Sequence, residues 1–178
     1  MRIKSLLLLP VVLLLVGCSQ LFGSSAPPVD QAIGEKEQMF AQMMIPHHEQ
    51  ALEMADLVQS RTDNPEIIAL AEKIRAGQDP EIKVMESWLG AHAGHGDHAG
   101  HTMDGMLTDE EMAALAATSG VEFEKLFLEG MIKHHEGALE MLSMLDGTTS
   151  YDAQKLKEQI DAAQRAEIAQ MKELLVNY

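Results

Sequence analysis

Cysteine is almost absent from this sequence, and Cys18 is its single representative. One cysteine cannot form a disulfide within the chain, and it cannot supply a metal site built from several thiolates. Aromatic residues amount to only 4% of the chain, and no segment alternates apolar and polar residues with a period of two. The sequence therefore predicts no β-sheet. A Gly-rich phosphate loop and the pattern of a nucleophilic triad are also missing, so we expect no enzyme.

Positive charge is scarce as well. The chain has 13 Lys and Arg against 28 Asp and Glu, which gives a formal net charge of −15. A domain this acidic repels phosphate backbones, so we expect no nucleic-acid partner. Methionine, by contrast, occurs thirteen times. Because methionine serves both as adaptable core filler and as a soft metal ligand, its positions must decide between these roles.

Long apolar runs are confined to the N-terminus. Leu6 to Val16 follow two basic residues and are too few for a comfortable transmembrane helix, so they are typical of a secretory signal. The following Gly-Cys resembles the end of a bacterial lipobox, although a plain signal peptide with an incidental cysteine is the alternative. We expect residues 1–17 to be the signal peptide, Cys18 to be lipidated and residues 18–34 to be a flexible tether. The protein would then be extracytoplasmic, attached to the membrane only through its lipid, at the periplasmic face or the cell surface.

An internal repeat organises the rest of the chain. "MIPHHEQALEM" at 44–54 recurs as "MIKHHEGALEM" at 131–141, and a second pair of similar segments starts at Leu70 and Leu156. In each copy the apolar residues advance by three or four positions, which is typical of amphipathic helices. We therefore expect one domain, whose parts are repeat one at 35–90, a His-rich loop at 91–107 and repeat two at 108–178.

Each repeat is predicted to form a helical hairpin, and two such hairpins build an all-α four-helix bundle by mutual packing. Asn64 and Pro65 supply an N-cap and a first helical residue, and the helix is expected to continue past Pro80. Thr108 to Glu111 form a capping box that opens a short extra helix in the central connection.

Each copy of the repeat carries a pair of adjacent histidines. His47 and His134 lie on the apolar stripes, so we expect them to face each other or to occupy equivalent places in or near the core. An interior lined by imidazole and thioether groups is expensive to bury unless those groups are satisfied, and a metal would satisfy them. Thioether and imidazole without thiolate favour copper. The candidate ligands on the helices are Met43, Met44, His47, His48, Met54, Met131, His134, His135 and Met141.

Two carboxylates leave a different metal site open. Glu81 and Glu167 occupy matching repeat positions and would complete a dinuclear His/Glu site, as in a metal-dependent oxidase. The Glu-x-x-His spacing of di-metal bundles is missing, however, because the residue three before each predicted core histidine is a methionine. A third interpretation is a structural bundle without metal, in which the histidine pairs only satisfy one another.

The loop between the repeats is rich in histidine. His92, His95, His98 and His101 recur every third residue among small residues, and Met103 and Met106 follow them. Such a tract is typical of metal binding, and its imidazoles suit Cu(II), nickel or zinc, while the methionines add an option for Cu(I). Because the tract defines no fixed geometry, we expect it to capture or buffer metal.

Four motifs together resemble one bacterial family. "FAQMMIPHHEQALEMA", "GQDPEIKVMESWLG", "GMLTDEEMAALAATSGVEFEKLFLEGMIKHHEGALEML" and "AAQRAEIAQMKELL" are similar to the family catalogued as domain of unknown function 305, over about residues 35–176. The resemblance implies a ferritin-like four-helix fold and an extracytoplasmic location, and some members are copper-binding proteins described as metallochaperones associated with copper resistance. Lys133 stands where the first copy has proline, and Gly130 stands where a second methionine often precedes Met131.

The leading hypothesis is thus a lipid-anchored copper-binding protein that sequesters Cu(I) or Cu(II) or hands it on. The sequence leaves open whether a copper-handling protein is its partner and whether it forms homo-oligomers.

Overall fold

The computed structural model describes residues 32–90 and 103–178, and within them the protein is entirely helical. This confirms the predicted all-α class. The helices are α1 (Glu35–Arg61), α2 (Pro65–Leu89), α3 (Asp109–Ala117), α4 (Gly120–Met141) and α5 (Tyr151–Leu175), and a 3₁₀ helix (Leu142–Leu145) follows α4 directly. None of the helices in these two ranges is long and apolar enough to cross a bilayer. The predicted signal peptide, Cys18, most of the tether and the four loop histidines lie outside the described residues.

The helices begin where the sequence places caps. The Asn64 side chain accepts a hydrogen bond from the Glu66 amide, and Pro65 is the first residue of α2. Thr108 and Glu111 form the reciprocal bonds of a capping box at the start of α3, with distances of 3.2 and 2.8 Å. The predicted short helix is therefore present, and α2 runs without interruption past Pro80.

The two hairpins pack as the repeat predicts. α1 lies antiparallel to α2 and α4 lies antiparallel to α5, while α1 against α4 makes the main contact between the repeats. Short α3 packs on α4, where Lys133 binds Glu111 at 2.9 Å and Leu115 enters the core. Lys133 occupies the position of Pro46 in the first repeat, so this departure from the repeat anchors the connecting helix.

Two apolar clusters fill the bundle, and each contains three buried methionines. One cluster includes Met44, Met85 and Met141, and the other includes Met131, Met171 and Met54. The two sets correspond through the repeat. Each set takes two thioethers from one hairpin and the third from the other, so both clusters depend on the docking of the hairpins.

A buried carboxylate from each repeat holds the hairpin turn of the other. Glu37 at the start of α1 accepts a hydrogen bond from the Thr148 hydroxyl, and Glu124 at the start of α4 accepts one from Thr62. Glu124 also accepts hydrogen bonds from Asn64 and Tyr178. Burial alone raises the pKa of the Glu124 carboxyl, but these hydrogen bonds outweigh it and hold the pKa below its ordinary value.

We expect Glu124→Ala to lower the free energy of unfolding by about 2–3 kcal/mol, because it leaves the buried Thr62 hydroxyl without its acceptor. Urea denaturation near neutral pH measures the effect. Glu129→Ala is the matched control, since Glu129 lies on the same helix with an exposed side chain and a 4.0 Å pair to Lys125. We expect the control to change stability by less than about 0.5 kcal/mol. Equal effects of the two substitutions would contradict a role for the cross-repeat contact.

Candidate metal centre

The four helix histidines lie completely buried where α1 meets α4 and the partner helices. His47, His48, His134 and His135 all have zero exposure. The rings of His47 and His134 are 3.8 Å apart between centroids and tilted by 44°. This confirms that the first histidines of the two pairs face each other across the pseudo-two-fold axis.

The second histidine of each pair turns toward its own hairpin. His48 Nε2 lies 2.9 Å from Glu81 Oε2, and His135 Nε2 lies 2.9 Å from Glu167 Oε2. Glu167 is additionally 3.8 Å from the Lys73 ammonium on α2. The structure therefore places both predicted carboxylates beside imidazoles, where each acts as a hydrogen-bond acceptor.

The central layer contains an unusual number of buried polar atoms that find no hydrogen-bond partner among the described residues. They include Nδ1 of all four histidines and both ring nitrogens of His134. The side-chain amides of Gln78 and Gln164, at matching positions of the repeat, also have no hydrogen-bond partner among the described residues. A buried polar atom without a partner costs about 1–3 kcal/mol. The arrangement is therefore expensive for the protein alone, and a bound species would relieve that cost.

A short segment, residues 103–107, passes over the histidine layer, and we call it the strap. The Asp104 carbonyl oxygen lies 3.2 Å from His47 Nε2. The Gln50 side chain holds both the amide and the carbonyl of Leu107, at 2.8 and 2.9 Å. Gly137 of α4 packs closely against the strap, and a Cβ added at this glycine would lie 2.0 Å from the Asp104 oxygen. The strap is thus fixed to α1 by hydrogen bonds and to α4 by close backbone packing.

Burial and neighbouring imidazoles keep the central pair uncharged. Desolvation, with the proximity of His48 and His135, lowers the pKa of His47 to about 3, against a smaller opposing effect of the Asp104 carbonyl. Desolvation and the surrounding histidines also lower the pKa of His134 well below its usual range. Both rings therefore present neutral nitrogen atoms at physiological pH.

The metal-free protein should lose stability as the pH falls below about 6.5. The unfolded state binds protons there, whereas the folded state keeps His47 neutral until its pKa of about 3, so the free energy of unfolding rises with pH across this window. Each such histidine contributes up to about 1.4 kcal/mol per pH unit. Urea denaturation in chelator at intervals between about pH 7.5 and 5 measures the slope. We expect His47→Gln/His134→Gln to flatten it, and an equal slope in this variant would contradict the assignment.

The predicted methionine ligands fall into two groups. Met44 and Met131 are fully buried and precede His48 and His135 by one helical turn, while Met54 and Met141 are buried one to two turns further along. The half-buried group is Met43, Met103 and Met106. Met103 packs against the cluster that contains Met44. His92, His95, His98 and His101 lie outside the described residues.

The available donors fit a soft metal ion better than a hard one. In the described ranges, no three His, Cys, Asp or Glu side chains converge in a way that would hold a metal by themselves. A dinuclear His/Glu site is thus not assembled there. Imidazole nitrogens that have no partner among the described residues, and buried thioethers one helical turn before the second histidines, are instead the donor types that suit Cu(I).

Sequence reasoning missed the strap and the residues that fix it. Gln50, Asp104 and Gly137 carry no metal-binding signature, and their roles appear only when the strap is seen to lie over the histidines. The one available signal was the pair of glycines, Gly105 and Gly137. Gly105 has a φ of +83°, a conformation that favours glycine.

Known proteins similar to the chain share this architecture. The model of the family described as Domain of unknown function (DUF305) matches residues 37–175. A DUF305 fragment from Deinococcus radiodurans is 31% identical with a TM-score of 0.71, and the match covers 83% of this chain and 100% of that one. A DUF305 protein from Streptomyces coelicolor is 30% identical with a TM-score of 0.71, covering 80% and 93%. No curated protein is significantly similar to the chain.

A third solved structure is that of a protein named CopM in a Cu(I)-bound form. It is 34% identical to this chain with a TM-score of 0.66, and the match covers 79% of this chain and 96% of CopM. CopM has also been solved in Cu(II)-bound and silver-bound forms.

Proposed function

Because the chain belongs to the DUF305 family, and because it buries imidazole nitrogens that lack hydrogen-bond partners in the part of the chain that the structure describes, we propose that it binds copper outside the cytoplasm and sequesters it or hands it on. The observation that carries the proposal is the central layer of four fully buried histidines, whose four Nδ1 atoms have no hydrogen-bond partner among the described residues. Such a layer costs folding free energy unless something binds there.

The donors named from the sequence supply the chemistry. His47, His48, His134 and His135 would supply imidazole donors, together with thioethers from Met44 and Met131, which precede the second histidines by one turn. This combination of neutral, soft donors suits monovalent copper, which needs no charged ligand in a dry interior. The copper-bound forms of CopM support copper as the cargo, since that protein shares the fold at about one-third identity.

The His-rich loop would serve a second purpose. Its four imidazoles suit Cu(II), and they would also accept zinc or nickel. We place capture there and storage in the core, because the loop sequence leads directly into the strap that lies over His47.

The location follows from the N-terminal sequence. A signal peptide over residues 1–17 and lipidation of Cys18 would keep the domain at the outer face of a membrane, attached by lipid alone. The description of the Streptomyces coelicolor relative, which names it a candidate secreted protein, agrees with this location. Copper exchange with a partner protein at the membrane surface would then be the route of delivery.

We propose no catalytic activity. The carboxylates that a dinuclear oxidase would use are Glu81 and Glu167, and their Oε2 atoms are engaged by histidine nitrogens instead. A His/Glu group of three is not formed in residues 32–90 and 103–178. Binding and transfer therefore account for the site better than turnover does.

Anaerobic competition for Cu(I) against a colorimetric chelator tests the proposal with the purified full-length chain. We expect Met44→Leu/Met131→Leu to weaken the tightest binding by more than about 100-fold, since changes even one shell further out cost about 10- to 100-fold. Met39→Leu/Met112→Leu is the matched control, because neither residue belongs to the central layer. We expect the control to bind as tightly as the wild type.

A third variant separates the loop from the core. With the loop histidines His92, His95, His98 and His101 replaced by asparagine, tight Cu(I) binding should remain. If it disappears there and survives in the Met44/Met131 variant, the loop is the functional site and the assignment to the helices is wrong. If the wild-type chain does not bind Cu(I) at all, the proposed function is wrong.

A further inference from the structure

Glu81 and Glu167 occupy the same place in the two halves of the bundle. Each projects from the second helix of its hairpin toward the second histidine on the first helix, with 2.9 Å between carboxylate and Nε2. Glu167 is 4% exposed and the side chain of Glu81 is 13% exposed. Two buried imidazoles are therefore held in one orientation by two carboxylates that solvent hardly reaches.

An ionised carboxylate accepts hydrogen bonds but has no hydrogen to donate, so the histidine nitrogen that faces it must carry the hydrogen. In a neutral imidazole the other nitrogen then has the free lone pair. For His48 and His135 that other nitrogen is Nδ1, and it is buried without a partner among the residues described. The same reasoning applies to His47, whose Nε2 faces the Asp104 carbonyl. Three imidazoles thus each keep a buried Nδ1 lone pair that has no hydrogen-bond partner among the described residues.

We propose that Glu81 and Glu167 are positioning residues, which hold His48 and His135 with Nε2 protonated so that Nδ1 is the atom offered to a soft monovalent metal. This inference rests on the proposed function and assigns the donor atom within it. The carboxylates themselves do not bind the metal. Their oxygens are hard donors that suit Cu(I) poorly, and one oxygen of each already accepts a hydrogen bond.

The arrangement also accounts for the repeat beyond the histidines. A metal-ligating histidine usually gives its second nitrogen to a carboxylate, a carbonyl or water, which fixes the ring and strengthens it as a ligand. Duplication has preserved Glu81 and Glu167 together with His48 and His135. It has not preserved Lys73, which stands beside Glu167 and whose repeat equivalent is Gln159. Both half-sites therefore have a glutamate that accepts the hydrogen bond from histidine, whereas only one of them has a lysine beside that glutamate in the described ranges.

The first test reads the tautomer in the metal-free protein. Long-range ¹H–¹⁵N correlation spectra of the full-length chain with ¹⁵N-labelled histidine show which ring nitrogen is protonated. We expect His48 and His135 to appear as Nε2–H tautomers, and we expect Glu81→Leu to remove that signature from His48 alone. An Nδ1–H tautomer at His48 in the wild type would overturn the inference.

The second test measures Cu(I) affinity by anaerobic chelator competition. We expect Glu81→Leu to weaken binding at its half-site by about 10- to 100-fold. Glu81→Gln should recover most of the affinity, because its amide oxygen still accepts the hydrogen bond. Glu86→Leu, on the exposed side of the same helix, is the control for hydrophobic substitution and should have no effect.

The outcomes separate this inference from the function on which it rests. If Glu81→Gln loses as much affinity as Glu81→Leu, the carboxylate is itself a ligand and the positioning role is wrong. Unchanged affinity in Glu81→Leu would also overturn it. If the wild-type chain does not bind Cu(I) while the spectra still show Nε2–H tautomers, the proposed function is wrong. The tautomers are then as inferred, but Nδ1 is not a donor to Cu(I).

Discussion

Gly137→Ala is expected to lower the free energy of unfolding by about 2–3 kcal/mol, even though alanine is normally the better helix former by about 1 kcal/mol. The new Cβ would lie 2.0 Å from the Asp104 oxygen, 2.5 Å from its carbonyl carbon and 2.7 Å from the Gly105 Cα. All three are backbone atoms, so no side-chain rotation relieves the overlap. Either the helix shifts or the strap leaves its place.

The displaced strap would also affect the histidine layer. Asp104 would no longer accept the hydrogen bond from His47, and the two bonds between Gln50 and Leu107 would be strained or lost. We therefore expect His47 in the Gly137→Ala protein to lose its fixed Nε2–H tautomer. ¹H–¹⁵N correlation spectra of labelled histidine would detect this loss. Affinity for Cu(I) would fall with it, because one ring loses its orientation.

Gly77→Ala is the matched control. Gly77 lies inside α2, and a Cβ there would meet nothing within 4 Å. We expect this variant to gain up to about 1 kcal/mol from helix propensity alone. If the contact between Gly137 and the strap matters, urea denaturation gives changes in the free energy of unfolding that have opposite signs for the two variants. A gain in stability for both would show that the strap yields at no cost.

Leucine at both His47 and His134 is expected to stabilise the metal-free protein while removing its response to copper. The wild-type pair buries His47 Nδ1 and both ring nitrogens of His134 without a partner within residues 32–90 and 103–178, at about 1–3 kcal/mol for each unsatisfied group, and leucine of similar size has no such cost. Wild-type protein should in turn gain about 4 kcal/mol at a free Cu(I) concentration a thousandfold above its dissociation constant. The variant should gain none.

Denaturation with and without chelator-buffered Cu(I) measures both effects in one experiment. The expected result is a crossing, in which the variant is the more stable protein without metal and the wild type is the more stable with it. Copper-dependent stabilisation that persists in the variant would place the metal elsewhere. A variant that is less stable than the wild type in the absence of metal would mean that the two rings stabilise the apoprotein through their own contact.

The sequence predicts most of the scaffold because its determinants are local. Asn64, Thr108 and Ser150 cap the helices that follow them, through bonds to residues two or three positions away. The spacing of apolar residues gives the buried faces, and the repeat relates one hairpin to the other. That His47 meets His134 follows from these two facts together.

What the sequence could not supply are contacts between elements that are distant along the chain. The strap reaches His47 across 57 positions, and Glu37 reaches Thr148 across 111. Neither contact has a periodic or compositional signal. For Glu81 and Glu167 the pattern showed the shared face but could not distinguish a metal ligand from a hydrogen-bond acceptor, because that depends on which atoms face each other.

The exchange of turn contacts between the repeats bears on whether one hairpin could complete its fold alone. Glu37 accepts a hydrogen bond from Thr148 in the turn of the second hairpin, and Glu124 accepts one from Thr62 in the turn of the first, so each buried carboxylate stabilises the turn of the other hairpin. Two identical hairpins related by a two-fold axis would satisfy both at once. The chain therefore has the pseudo-symmetry of a homodimer whose two hairpins are joined in one polypeptide, and each hairpin needs the other to complete its turn and the histidine layer. The strap and α3 lie in the connection between the two hairpins, where the strap contacts a histidine layer that both hairpins share.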